Sequence, residues 1–201
     1  VAPVLLLHVN EFGTPNAIFP GLIRGEFHVE PEAAVVQVLS WPLRDVNVDA
    51  MLIKDESSEL RALLEAPRRL GEPTDEARLH FDQLLNNFTF GTNVLLRGER
   101  MRALDRLNSI QRQLAYLARF AARASHRLTP QRLLERELPP ELYERLAATV
   151  GPLAELERGY AEAWMLAKDL LPLLPELGGR ENVMAELDAR VRGAVASYDW
   201  T

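Results

Sequence analysis

Hydrophobic and polar positions divide the chain into two regimes. Up to about Lys54 the apolar residues come in short runs bounded by Pro, Gly and Asn. From Thr74 onward they recur every three or four residues, the period of one helix face. In the first regime, Val4–Val9 is a continuous apolar run interrupted by His8, which predicts a buried strand. Asn10–Pro15 supplies turn residues, with Gly13 able to take a positive φ. Asn16–Phe19 reads as a second short strand, ended by Pro20-Gly21. Leu22–Val29 reads as the third and longest, with Pro31 breaking it. Ala34–Leu39 and Met51–Lys54 read as two further short strands. Asp55-Glu56-Ser57 then makes an acidic helix start, with Leu60, Leu63 and Leu64 as its apolar stripe.

The pattern changes at Pro67–Pro73, and a domain boundary is expected there, between residues 1–66 and residues 74–201. Thr74 suits an N-cap, and Asp75 and Glu76 suit the first turn, where the helix dipole favours acids. Ala77, Phe81, Leu84, Phe88 and Leu95 then mark one face of a long helix that Arg97-Gly98-Glu99 interrupts. Met101 to Ala121 continues as a second long helix. Its opposite face carries Arg100, Arg102, Arg106, Arg112 and Arg119, a pattern that usually marks a solvated surface. Thr129-Pro130 opens a short third helix, and Pro139-Pro140 separates it from Glu141–Val150. A longer helix starts at Pro152 and ends near Pro172 and Pro175, and a last one runs from about Asn182 to Ser197. The fold class is α+β: a small β-sheet domain followed by a helical bundle.

Composition narrows the functional classes. The chain has 201 residues, enough to bury a real core, and no cysteine. Disulfide scaffolds, thiolate zinc sites and a cysteine nucleophile are excluded. His8, His28, His80 and His126 are too scattered for a histidine metal site, so no metal ligands are assigned. A formal charge of −6 argues against nucleic acid as a partner, while leaving room for a small nucleotide held by local arginines. No apolar run approaches the roughly 20 residues that span a bilayer, so no membrane partner is expected. The apolar opening lacks a basic flank and a small-residue cleavage site, so it reads as no signal peptide, and a cytoplasmic protein is expected.

Candidate chemistry centres on Leu22–Val29. Alternation in a strand places Arg24, Glu26 and His28 on one face and Ile23, Phe27 and Val29 on the other. That arrangement suits an edge strand with ordinary surface charges. It also suits a catalytic or phosphate-handling face with an apolar back.

Asn10-Glu11-Phe12-Gly13-Thr14, Ile18-Phe19 and Leu22–His28 together resemble the later strands of the lincosamide nucleotidyltransferases. These are antibiotic-modifying, resistance-conferring members of the polymerase-β-like nucleotidyltransferase superfamily. The resemblance continues through Met51-Leu52-Ile53 with Asp55-Glu56, Asn93-Val94-Leu95 with Arg97-Gly98-Glu99, and Leu134-Glu135-Arg136-Glu137. It implies a partial, palm-like nucleotidyltransferase domain over residues 1–66. The implied reaction is transfer of AMP from ATP, with Mg2+, to a hydroxyl of a small acceptor such as a lincosamide or aminoglycoside, by a homodimer. Glu26 takes the position of the family's third carboxylate, whose implied role is general base. Arg24 and His28 would contact phosphate or acceptor, or would simply pair with Glu26. Asn93 and Arg97 would face the triphosphate, or would form an ordinary helix terminus with Gly98 as terminator.

The family's Gly-Ser turn and its strand bearing two metal-binding carboxylates would precede Val1, and Asp45, Asp49, Asp55 and Glu56 do not replace them. A truncated family member that starts within a domain and lacks full metal binding is therefore expected. Two alternatives accompany this reading. One is a non-catalytic binding or dimerisation remnant. The other is a helical-bundle ribonuclease using Arg119 and His126, seven residues apart.

Overall fold

The computed structural model describes residues 3–11, 13–40, 47–66, 73–124 and 129–200. Phe12, Asp45, the boundary segment 67–72, the side chains of Thr74 and Asp75, and His126 lie outside the described residues. The chain forms two compact units, Val1–Arg69 and Leu70–Thr201. The α+β class holds: a three-stranded antiparallel sheet precedes a helical region.

In the first unit the strands β1 (Leu6–Val9), β2 (Pro15–Phe19) and β3 (Ile23–Glu26) pair in sequence order. The β1–β2 turn closes because the Asn10 side-chain oxygen accepts the Thr14 N–H at 2.9 Å and Gly13 takes φ +80°. A 3-10 turn over Pro20–Leu22 joins β2 to β3, with Gly21 at φ +79°. The register sets Asn16 opposite both His8 and Glu26, and Ile18 opposite both Leu6 and Arg24.

Four expectations are corrected here. β1 is an edge strand and not a buried one, with Leu6 50% and Leu7 69% exposed. The third strand is shorter than expected, because Leu22 sits at φ +57° in the turn and pairing ends at Glu26. Ala34–Leu39 is not a strand: Pro31 accepts the Ala34 N–H at 2.8 Å, and a 3-10 helix runs over Glu32–Ser40. Met51–Lys54 is not one either. Asn47 caps the short helix α1 (Val48–Met51) by accepting the Ala50 N–H at 3.1 Å, and the residues after Met51 are irregular. The leucine stripe does form a helix, α2 (Glu59–Glu65), which packs on the 3-10 segment and buries Leu64.

The second unit contains α3 (Pro73–Leu96), α4 (Arg100–Ala121), α5 (Leu134–Glu137), α6 (Pro140–Ala148), α7 (Leu156–Leu170) and α8 (Glu181–Ala194). Gly98, at φ +76°, ends α3. Its N–H reaches Leu95 O at 2.9 Å, and the Glu99 N–H reaches Val94 O at 3.2 Å, which satisfies two carbonyls that the helix end would leave open. α3 packs along α4, α7 lies on α4, and α8 lies on both α3 and α7. The apolar stripes meet in one core that encloses Phe81, Leu84, Phe88, Leu107, Leu114, Tyr160 and Trp164. Each such side chain contributes about 1.5–3 kcal/mol of burial. Gly159 permits the close crossing of α7, since a Cβ there would meet Leu107 at 2.7 Å and the Thr149 carbonyl at 3.0 Å. The helix expected from Thr129 begins instead at Leu134, after a series of turns.

Candidate functional site

The register of the small sheet builds the candidate site. Hydrogen-bonded alternation leaves Arg24 and Glu26 on one face of β3, and Asn16 joins them from β2. Asn16 is fully buried. Its side-chain N–H donates to Thr14 O at 2.9 Å, and its oxygen accepts from Arg24 Nη2. The same Nη2 donates to Glu26 Oε2 at 2.9 Å. Asn16 therefore fixes the guanidinium, and the guanidinium fixes one oxygen of the carboxylate. The other oxygen, Oε1, lies 3.6 Å from His28 Nε2. The structure thus brings Arg24, Glu26 and His28 into one group, with the Glu26 side chain still 36% exposed.

His28 reaches this group by a different route from strand alternation. Pairing stops at Glu26, the Phe27 N–H makes one more bond to Pro15 O at 2.9 Å, and the chain then leaves the sheet. On the opposite face, Gly25 leaves room for the Phe19 and Phe27 rings, which meet edge to face with centroids 6.5 Å apart. His28, but not Glu26, lines a cleft of about 580 Å³ that the 3-10 segment and α2 also border.

Asn93 and Arg97 do not form a pair in the second unit. Asn93 lies in α3, and its side-chain oxygen accepts from Arg190 of α8. Arg97 lies past the end of α3 and donates through Nε to Glu99 Oε1 at 2.7 Å. Glu99 also accepts from Arg102 at 3.1 Å. The hydrogen bonds from Arg97 and then Arg102 hold the Glu99 carboxyl below its ordinary range. Arg100 pairs with Glu157 at 2.5 Å and with Leu153 O at 2.9 Å, so the start of α4 is tied to α7. Hydrogen bonding to Arg100 lowers the Glu157 pKa despite partial burial.

Arg119 departs from the expected solvated face. Its side chain is fully buried, and its guanidinium donates to Pro130 O at 2.8 Å, to Arg132 O and to the Glu137 carboxylate. It is a structural cation that ties the segment before and through α5 to the body of α4. The pairing of Arg119 with His126 proposed for a ribonuclease would need a guanidinium open to RNA, and this one is enclosed.

The sequence reading does not single out Asn16; His8 sits opposite it on the other side of β2. Pairing Asn16–Phe19 with Leu22–Val29 across the Pro20-Gly21 turn was the signal that could have found Asn16. Among the described residues, no group of three or more His, Asp or Glu side chains converges as a metal site. Glu26 is engaged by Arg24 on one oxygen and flanked by His28 at the other. The described residues therefore do not fit a magnesium centre. Among them, no helix is long and apolar enough to cross a membrane.

Residues 74–184, more than half of the chain, match the family model described as lincosamide nucleotidyltransferase-like, C-terminal domain. No individual curated protein matches the chain.

Proposed function

The chain belongs to the lincosamide nucleotidyltransferase-like family, and on that premise we propose that it transfers AMP from ATP to a hydroxyl of a small acceptor. The family match over residues 74–184 carries this reading. Lincosamides and aminoglycosides are the acceptors to try first, and the protein would act as a cytoplasmic homodimer conferring antibiotic resistance. The upstream residues 1–66 would be the partial palm-like domain of the superfamily.

Glu26 is the general base in this proposal. A hydroxyl is a weak nucleophile at neutral pH, and a positioned carboxylate that takes its proton assists attack. The acceptor O–H proton passes to Glu26 and the acceptor oxygen bonds to the α-phosphorus. The bond from that phosphorus to the bridging oxygen breaks, and pyrophosphate leaves. Three features of the first unit support the role: Asn16 fixes Arg24, Arg24 orients one oxygen of Glu26 by a hydrogen bond, and His28 flanks the other edge of the carboxylate. Asn93 and Arg97 are the candidates for triphosphate contacts, Arg97 through positive charge. It would have to exchange Glu99 for phosphate, which is feasible for an exposed pair. Such transfers generally also use a metal ion, and none of the described residues is assigned to it.

The test is product identification. The protein is incubated with ATP, Mg2+ and a panel of lincosamides and aminoglycosides, and the mixture is read by mass spectrometry and pyrophosphate release. An acceptor–AMP ester with matching pyrophosphate is expected. Absence of any adenylylated product across the panel contradicts the proposal. The exposed apolar β1 favours a second reading, a binding module without catalysis. That reading predicts association without pyrophosphate.

A further inference from the structure

A cavity of about 210 Å³ lies within the second unit, between α4, α6 and the segment that enters α5. Ala115, Leu134 and Leu146, all buried, give it an apolar floor. Gln111, Gln131 and Tyr143 supply polar groups, and no Asp, Glu, Lys, Arg or His lines it. An ion that entered would lose its water and meet no opposite charge, so the cavity selects against charged molecules.

The polar groups are held in place. Gln111 Nε2 donates to Thr149 O at 2.8 Å. Thr149 is fully buried, and its hydroxyl donates to Leu146 O at 2.7 Å. The Gln111 amide is thereby oriented, with its N–H committed and its carbonyl oxygen left as an acceptor. Among the described residues, the side chains of Gln131 and Tyr143 make no hydrogen bond. Gln131 sits between two carbonyls, Pro130 O and Arg132 O, which both accept from the buried Arg119 guanidinium. Leu133 then takes φ +53°, a backbone conformation that costs free energy for a residue with a Cβ and persists where the surroundings impose it. The chain that carries Gln131 is thus pinned to α4 on both sides of it.

We propose that this cavity binds a small uncharged aromatic carboxamide. The ring covers Ala115, Leu134 and Leu146. The amide N–H donates to the free oxygen of Gln111, and the amide carbonyl accepts from the Tyr143 hydroxyl or the Gln131 amide. The volume lies below the roughly 300–1,000 Å³ of drug-sized sites, which limits the ligand to one ring with one polar group. The site lies wholly in the second unit and does not rest on the transferase reading.

The experiment is a titration of the full-length chain, followed by amide NMR, with three probes of one shape: benzamide, acetophenone and benzoate. Acetophenone keeps the carbonyl and lacks the N–H. Benzoate is charged and brings no donor. Benzamide is expected to shift amides within residues 111–115, 131–134 and 143–150, with a dissociation constant of about 1 mM. Acetophenone should bind about fivefold more weakly, and benzoate should leave those amides unmoved. Ala147 lines the cavity from an exposed position on α6, so Ala147→Leu should fill it and abolish the benzamide shifts with an unchanged far-ultraviolet circular dichroism spectrum. Gln111→Leu should make benzamide and acetophenone bind equally. Where loss of the donor to Thr149 O unfolds that variant, the exposed pair Gln131→Ala/Tyr143→Phe takes its place and should weaken benzamide about fivefold. Four results would each overturn the proposal. They are benzamide shifts absent at about 10 mM or confined to other residues, equal binding of benzamide and acetophenone to the wild type, benzoate shifts in this cavity, and benzamide shifts that survive Ala147→Leu.

Discussion

At the scale of single residues, two arginines illustrate how context assigns a role. Arg24 is exposed and acts on a neighbouring carboxylate, whereas Arg119 is enclosed and acts on the chain that wraps it. The sequence places both at regular positions, and periodicity alone assigned Arg119 to a solvated face. It could not show that the segment 129–137 folds back over α4, because that contact is made by turns without a repeating pattern. The enclosure makes a strong prediction. Arg119→Met removes the cation, and leaves the Glu137 carboxylate and the Pro130 and Arg132 carbonyls without it. Breaking a buried pair from one side costs about 3–5 kcal/mol. Urea denaturation should show a loss of that size, and a loss below about 1 kcal/mol would mean that the guanidinium is dispensable.

At the scale of elements, the long helices were legible and the short segments were not. A stripe repeated over about four to six turns leaves one solution, as for α3, α4 and α7. A run such as Ala34–Leu39 is too short for its period to decide, and the hydrogen bond from Ala34 to Pro31 chose the 3-10 helix. The same limit applies to Met51–Lys54, where the cap by Asn47 decided. In the candidate site, alternation correctly grouped Arg24 with Glu26. His28 joined them only because the chain leaves the sheet after Phe27, which no period encodes. The packing of α7 on α8 carries a pH prediction. Asp188 accepts from Trp164 at 2.7 Å, Lys168 at 3.1 Å and Arg192 at 2.7 Å. Burial alone would raise its pKa, but these hydrogen bonds and the Lys168 charge outweigh it and hold the pKa at about 2. The folded value lies below the ordinary 3.8, so the stabilisation is fully present above about pH 4 and is lost as pH falls toward 2. Thermal melts between pH 5 and pH 2 should show this loss, and Asp188→Asn should flatten that part of the profile. A variant with the wild-type slope would remove Asp188 from the account.

At the scale of the molecule, the two units differ in how much they bury. The continuous core, from Ala77 to Val195, belongs to the second unit. In the first unit the buried apolar residues among those described are Ala17, Val38 and Leu64, while β1 and much of β3 stay exposed. Composition gave no warning of this, because Val4–Val9 is as apolar as any core strand, yet Leu6 and Leu7, on opposite faces of β1, are both exposed. Local stability follows buried contact. Hydrogen exchange of β2 amides should therefore be complete while those of α4 between Leu107 and Leu117 remain protected. Equal protection in both would contradict the contrast between the units.

The central claim is that this chain works as a nucleotidyltransferase with Glu26 as the base. The most direct measurement is the rate of AMP transfer by the wild-type protein and by Glu26→Gln, at saturating ATP and acceptor, with folding matched by circular dichroism. The amide keeps the size of the side chain and can still accept from Arg24, but it cannot take a proton. The account predicts a fall of about 10²–10⁴ in kcat. An unchanged rate in the Gln variant would contradict it.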